Sequence, residues 1–213
     1  MYFGFIRKYE GRGRTMHDAM KRQILDIAKL IWDRRLSDTA GGNISVQEND
    51  IICITPKLMG YRLRWQITED DLSILRLDGE VIEGPREITR EGRIHLGLYN
   101  EFDDAHAIIH AHPYWTSIFV ARAQRIFPVL QMTEKFGTIE CIDETPGRSE
   151  ELAERVKQHF VSKREQWKKT ALEVILPRHG IVAMGKDMNA CFDIVDRVES
   201  DCRCQILGKL LDL

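Results

Sequence analysis

Apolar residues recur along the chain with two periods, and the switches between them mark out its elements. From Asp18 to Leu36, residues Ile24, Ile27, Leu30 and Ile31 fall at helical spacing, which predicts an amphipathic helix. Ser37–Gly42 breaks that period, with Gly41-Gly42 as a tight turn. Asn43–Gln47 and Asp50–Thr55 alternate or run apolar with β-branched residues, predicting two strands joined by the polar turn Glu48–Asp50. A short helical turn is expected after Thr68. Ser73–Leu77 and Glu80–Ile82, joined by Asp78-Gly79, read as a hairpin. Thr89 is suited to cap a helix to about Phe102, with Ile94 and Leu98 on one face.

The second half continues the mixture. His106–His112 reads as a strand, and Pro113 suits the first position of a following helix. Ile126–Leu130 and Gly137–Ile142 are short strand candidates. Ser149 opens a helix to about Lys163. Val174–Leu176 and Gly180–Met184 are strands flanking Arg178-His179, and Asp187 begins a long C-terminal helix. There is no internal repeat and no low-complexity segment. Strands in hairpin-type pairs, interleaved with helices, predict an α/β layout with one mixed or antiparallel sheet covered by helices.

The 213 residues suffice for one sizeable core, and no linker divides them. The expected organisation is an N-terminal tail, 1–15, followed by a single domain, 16–213. A net charge of −2 gives no argument for nucleic acid or an anionic membrane as partner. No apolar run approaches the roughly 20 residues of a spanning helix. The basic residues Arg7 and Lys8 follow the short apolar start, the reverse of a signal peptide. Cys53, Cys141, Cys191, Cys202 and Cys204 are odd in number and scattered, which argues against a disulfide framework and for a reducing cytoplasm.

Three stretches carry candidate chemistry. In His110-Ala111-His112, residues two apart on a strand point to one face, so two imidazoles lie side by side. His106 and Ile108 share that face, and Ala107, Ile109 and Ala111 form the other. Such a pair is a weak signal alone, since a buried histidine is usually a satisfied core residue. His179 sits between two apolar strands, beside Gly180, which allows a tight turn or a close backbone approach. Glu91 lies near a helix start, where a glutamate is commonly a favourable dipole partner. Beside three histidines it is instead a fourth ligand or a general base.

The sequence resembles the class II aldolase/adducin family. The matching stretches are Thr39-Ala40-Gly41-Gly42-Asn43-Ile44-Ser45, Ile54-Thr55-Pro56, Glu91 with His95, His110-Ala111-His112 and Arg178-His179-Gly180. They occur in the family's order and span about Asp18 to Leu211. The resemblance implies a three-layer fold, a homotetramer with active sites near subunit contacts, and a divalent cation. His110, His112 and His179 fall on the metal ligands, with zinc expected and Mn2+, Co2+ or Fe2+ as alternatives. Glu91 falls on an acidic position that is glutamate in the aldolases and aspartate in the epimerases. It is expected both to bind the metal and to move protons. Gly42, Asn43, Thr55 and Thr89 fall on the substrate-anion pocket.

The implied activity is cleavage or formation of a carbon–carbon bond in a ketose 1-phosphate, through a metal-stabilised enediolate. The alternatives are a sugar-phosphate 4-epimerase or dehydratase of the same family, or a non-catalytic adducin-like interaction module, which would lack the full histidine set. The chain departs from the family pattern at Lys57-Leu58 and at Thr89-Arg90, where relatives carry small residues. The two cations either strengthen an anion site, fill the pocket or face solvent. Glu134 lies near the position of a catalytic aspartate in the epimerases and is a possible second acid/base.

Overall fold

The computed structural model describes residues 15–211, so the expected tail falls outside the described residues except for Thr15. Thr15 is the N-cap of α1 (Met16–Asp33), and its hydroxyl and the Asp18 carboxylate satisfy each other's backbone N–H groups. The helix stops three residues before the expected Leu36 because Arg35 turns left-handed, with φ 58°. The N–H of Leu36 then bonds the Ile31 carbonyl, and that of Arg35 the Trp32 carbonyl, closing a Schellman-type end.

The strands are β1 (Asn43–Glu48), β2 (Ile51–Ile54), β3 (Ser73–Arg76), β4 (Val81–Glu83), β5 (Ala107–Ala111), β6 (Glu140–Cys141), β7 (Leu172–Leu176) and β8 (Gly180–Gly185). They form one mixed sheet in the order β4-β3-β2-β1-β5-β8-β7-β6. Among the described strands only the β6–β7 pair is parallel; the other neighbours run antiparallel. The edge strands β4 and β6 are short, which limits the unpaired backbone on offer to another chain.

Two apolar layers flank the sheet. On one face α1, α3 (Thr116–Ala121) and α6 (Met188–Gly208) cover Ala107, Ile109 and Ala111 of β5. On the other, α2 (Gly92–Tyr99), α4 (Glu150–Ser162) and α5 (Arg164–Trp167) cover Ile108 of β5, with Val182 and Met184 of β8. This is the α/β layout of a helix-covered mixed sheet that the strand and helix periods predicted, in the three layers that the family resemblance implied. The central position of β5 and β8 brings the candidate histidines to one end of the sheet.

Other boundaries also differ from expectation. β5 ends at Ala111, not His112, because the His112 N–H turns to Ser37 Oγ at 3.3 Å. The helix expected from Thr89 to Phe102 is only Gly92–Tyr99. Thr89 lends its carbonyl to the Gly92 N–H, and Asn100 uses its side chain on the Leu77 and Leu96 carbonyls. Pro113 precedes α3 instead of opening it. The strands expected at 126–130 and 137–142 reduce to an Ile126–Ile139 bridge and the short β6. Pro128 has no N–H to give, and those of Val129 and Leu130 donate to Asp201 at 3.3 and 3.1 Å. The periods also gave no sign of the π-helical turn Met59–Leu63. No described helix is long and apolar enough to cross a membrane.

Candidate metal centre

The distant histidines meet. One nitrogen from each of His110, His112 and His179 lies within 4.8 Å of the others. His110 is the last inward-facing residue of β5, and His112 follows just past the strand end. His179 comes from the loop joining β7 to β8, where Leu176 pairs with Gly180 across a turn containing the left-handed Arg178. Gly180 is required by the close approach: a Cβ there would meet His112 Cδ2 at 2.5 Å and the Ala111 carbonyl oxygen at 2.6 Å.

Hydrogen bonds behind the rings fix which nitrogens face inward. His110 Nδ1 lies 2.8 Å from the Ile181 carbonyl oxygen, which only accepts, so Nδ1 carries the proton. His112 Nδ1 stands 3.2 Å from Asp38 Oδ1. The hydrogen bond to His112 holds the Asp38 carboxyl below its ordinary range, so it too accepts. In the neutral rings both Nε2 atoms are then bare lone-pair donors, facing each other at 3.2 Å. Two bare nitrogens repel at that distance, and a cation between such donors removes the conflict. Burial holds His110 neutral, with its pKa pushed down to about 4.

Glu91 completes the cluster. It is the N-cap residue of α2, but its side chain makes no capping bond. It turns inward, with Oε2 3.0 Å from His110 Nε2 and Oε1 2.9 Å from His179 Nε2. Asn43 Nδ2 donates to Oε2 at 3.1 Å, whereas buried Oε1 has no aligned donor among the described residues. Burial opposes ionisation of Glu91, but positive charge at His110 and His179 when those rings are protonated, together with the Asn43 amide, acts against it and holds the carboxyl well below the carboxylate range. His179 Nδ1 is likewise buried without a partner. Three clustered imidazoles, with a carboxylate and orphaned buried atoms beside them, fit the donor set of a divalent-metal site.

The cluster lines a cavity of about 550 Å³. Gly42, Asn43 and Thr89 also line it. Gly42 has φ 109° and lies against Trp65, leaving no room for a side chain. Thr55 does not line the cavity. It is fully buried, and its hydroxyl accepts the Ile44 N–H at 3.0 Å. Glu134 is exposed on a 3₁₀ turn, Gln131–Phe136, away from the cavity. Of the two unusual cations, Arg90 lines the cavity, whereas Lys57 pairs outside it with Glu87 at 3.1 Å. Residues that pattern reading missed include Asp38, the wall Leu58–Tyr61, Arg148 and Arg178. Nothing in the local sequence announces Asp38, whose contact with His112 spans 74 positions.

The family model for the class II aldolase and adducin N-terminal domain matches residues 22–206, and the chain belongs to that family. An L-fuculose phosphate aldolase of Methanocaldococcus jannaschii is 31% identical over 195 residues, which cover 90% of this chain and 98% of the relative. An L-ribulose-5-phosphate 4-epimerase of Salmonella paratyphi B is 25% identical, over 79% of this chain and 75% of the relative. Among solved structures, an L-fuculose 1-phosphate aldolase superposes with a TM-score of 0.77 at 24% identity, covering 92% of this chain and 91% of that one.

Proposed function

We propose that this chain is a metal-dependent class II aldolase that cleaves a ketose 1-phosphate into dihydroxyacetone phosphate and an aldehyde, or joins them. The observation that carries the reading is Glu91, a buried carboxylate set between two imidazole nitrogens with one oxygen lacking an aligned donor. His110, His112, His179 and Glu91 would hold the cation. Zinc suits a set of three imidazoles and one carboxylate, and Mn2+, Co2+ or Fe2+ are the alternatives. When bound, it supplies Lewis-acid stabilisation of the negative charge that develops on the substrate oxygens.

The chain's own groups do the rest. Glu91 Oε1 takes and returns the proton beside the breaking bond, while Asn43 steadies Oε2. The backbone at Gly42 and the side chains of Asn43 and Thr89 receive the substrate phosphate, with Thr55 supporting them from β2–β1. Arg90 adds a guanidinium to the same cavity. The name of the Methanocaldococcus relative supports a sugar-phosphate substrate. The exposed run Phe127, Val129, Leu130 and Met132 supports association into a homotetramer. The five free cysteines suit the cytoplasm.

The epimerase relative keeps a second reading in view, because epimerisation by retro-aldol cleavage needs the same metal site. Glutamate, not aspartate, at position 91 favours the aldolase. The discriminating experiment offers a panel of ketose 1-phosphates and couples released dihydroxyacetone phosphate to NADH oxidation. Release from at least one is expected. Inversion of a pentulose 5-phosphate without release would favour the epimerase, and inertness of the metal-loaded protein to both would end the enzymatic reading.

A further inference from the structure

Behind Glu91 runs a chain of buried polar side chains, of which the proposed reaction uses only Asn43. Tyr99 OH lies 2.7 Å from Ser45 Oγ, and Ser45 Oγ lies 2.6 Å from His95 Nδ1. His95 Nε2 lies 2.5 Å from Asn43 Oδ1, and Asn43 Nδ2 lies 3.1 Å from Glu91 Oε2. Ser45 and Asn43 stand on β1, and His95 and Tyr99 one turn apart on α2, so the chain stitches the helix carrying Glu91 to the central sheet. All five residues are buried.

The direction of every bond follows from one end. Glu91 Oε2 is a carboxylate oxygen 3.1 Å from Asn43 Nδ2 and accepts from it, so Asn43 presents its NH2 to Glu91. Asn43 Oδ1 then faces His95 and needs a donor, which makes His95 the Nε2–H tautomer. Its bare Nδ1 accepts from the Ser45 hydroxyl, and Ser45 in turn accepts from Tyr99. Reversing any one bond leaves a donor facing a donor or an acceptor facing an acceptor at a buried site. The amide of Asn43 interrupts proton transfer along the chain, so it conveys orientation and no proton.

We propose that His95, backed by Ser45 and Tyr99, is a positioning residue that locks the Asn43 amide and, through it, aims the Glu91 carboxylate at the histidine cluster. Burial keeps His95 neutral, with its pKa pushed down to about 3, so the lock stays set throughout the working pH range. The inference rests on the metal-dependent reading of the same cluster, and the experiment separates the two. Full-length protein is loaded with Co2+, and its visible absorption is compared among wild type, H95L, H95Q and S45A, with kcat and KM measured alongside.

H95L is expected to bind Co2+ with an altered spectrum and to lose about 10–100-fold in kcat, the usual scale for outer-shell groups, with KM little changed. H95Q, which retains a donor and an acceptor, is expected to recover much of both. S45A should shift the spectrum in the same direction by less. If H95L fails to fold, S45A and the Nε2–H tautomer of wild-type His95, read by 15N NMR, take over the test. A wild-type spectrum in H95L or S45A, or a protonated Nδ1 in the wild type, overturns the proposal. Failure of the wild type to bind Co2+ overturns the metal reading instead.

Discussion

Two buried glutamates occupy opposite sides of the same sheet and show what makes a carboxylate useful. Glu91 is 6% exposed and Glu173, on β7, is 5% exposed. Glu173 meets the sheet face covered by α1 and α6, where burial, reinforced by the nearby Glu199, pushes its pKa well above the ordinary range. Its Oε2 has no hydrogen-bond partner among the described residues. Glu91 suffers the same desolvation but faces two imidazoles and an amide, and stays ionised. Burial alone neutralises an acid, whereas burial inside a converging donor set stores a charge where a cation is wanted.

The largest way to break this contrast is to remove charge at Glu91. Glu91→Gln should keep much of the metal, measured by atomic emission, yet lose about 10²–10⁴-fold in kcat. Native turnover in that variant would remove Glu91 as the proton carrier. Smaller is Asp38→Asn, which weakens the acceptor that sets the His112 ring. Metal affinity from competition with a chelator should fall about 10–100-fold. Unchanged affinity would mean His112 is oriented without Asp38.

Gly180→Ala drives a methyl into the His112 ring and the Ala111 carbonyl. It should cost about 1–3 kcal/mol of stability by denaturant titration and displace the ligand. An undisturbed metal content would show that the β8 start relaxes freely.

The smallest expected effect concerns Glu173. Its folded-state pKa is raised, so the folded protein holds a proton that the unfolded chain releases above its ordinary value of 4.5. The unfolded state binds fewer protons there, and this group's contribution to stability falls as pH rises. Glu173→Met, similar in volume, removes that slope. The variant's advantage over wild type in unfolding free energy from urea titration should therefore grow from pH 5 to pH 8, reaching about 1 kcal/mol or more. A gap independent of pH would show that Glu173 does not change protonation on folding.

Much of this was legible in the sequence because it is periodic. The two-residue spacing of His110 and His112 predicts a common face, and their Nε2 atoms do face each other. The alternation in β5 separates Ala107, Ile109 and Ala111 from Ile108, and the two sets pack into opposite layers. Asp187 and Ser149 marked helix starts and are the observed N-caps. What stayed hidden depends on contacts distant in sequence. Leu58 and Arg64 flank the π-helical turn with left-handed backbones that ordinary residue preferences disfavour, and packing of Trp65 against Gly42 holds that wall in place. The His95 chain was visible only as a motif neighbour of Glu91; its direction emerges from the folded geometry alone.

The most direct test of the account is metal content after metal-replete purification, measured per chain in wild type and in His179→Ala. The donor set predicts about one tightly held divalent ion in the wild type and close to none in the variant, with loss of cleavage in step. A wild type that holds no ion, or a variant that holds as much as the wild type, would contradict the convergence of residues 91, 110, 112 and 179 on one cation.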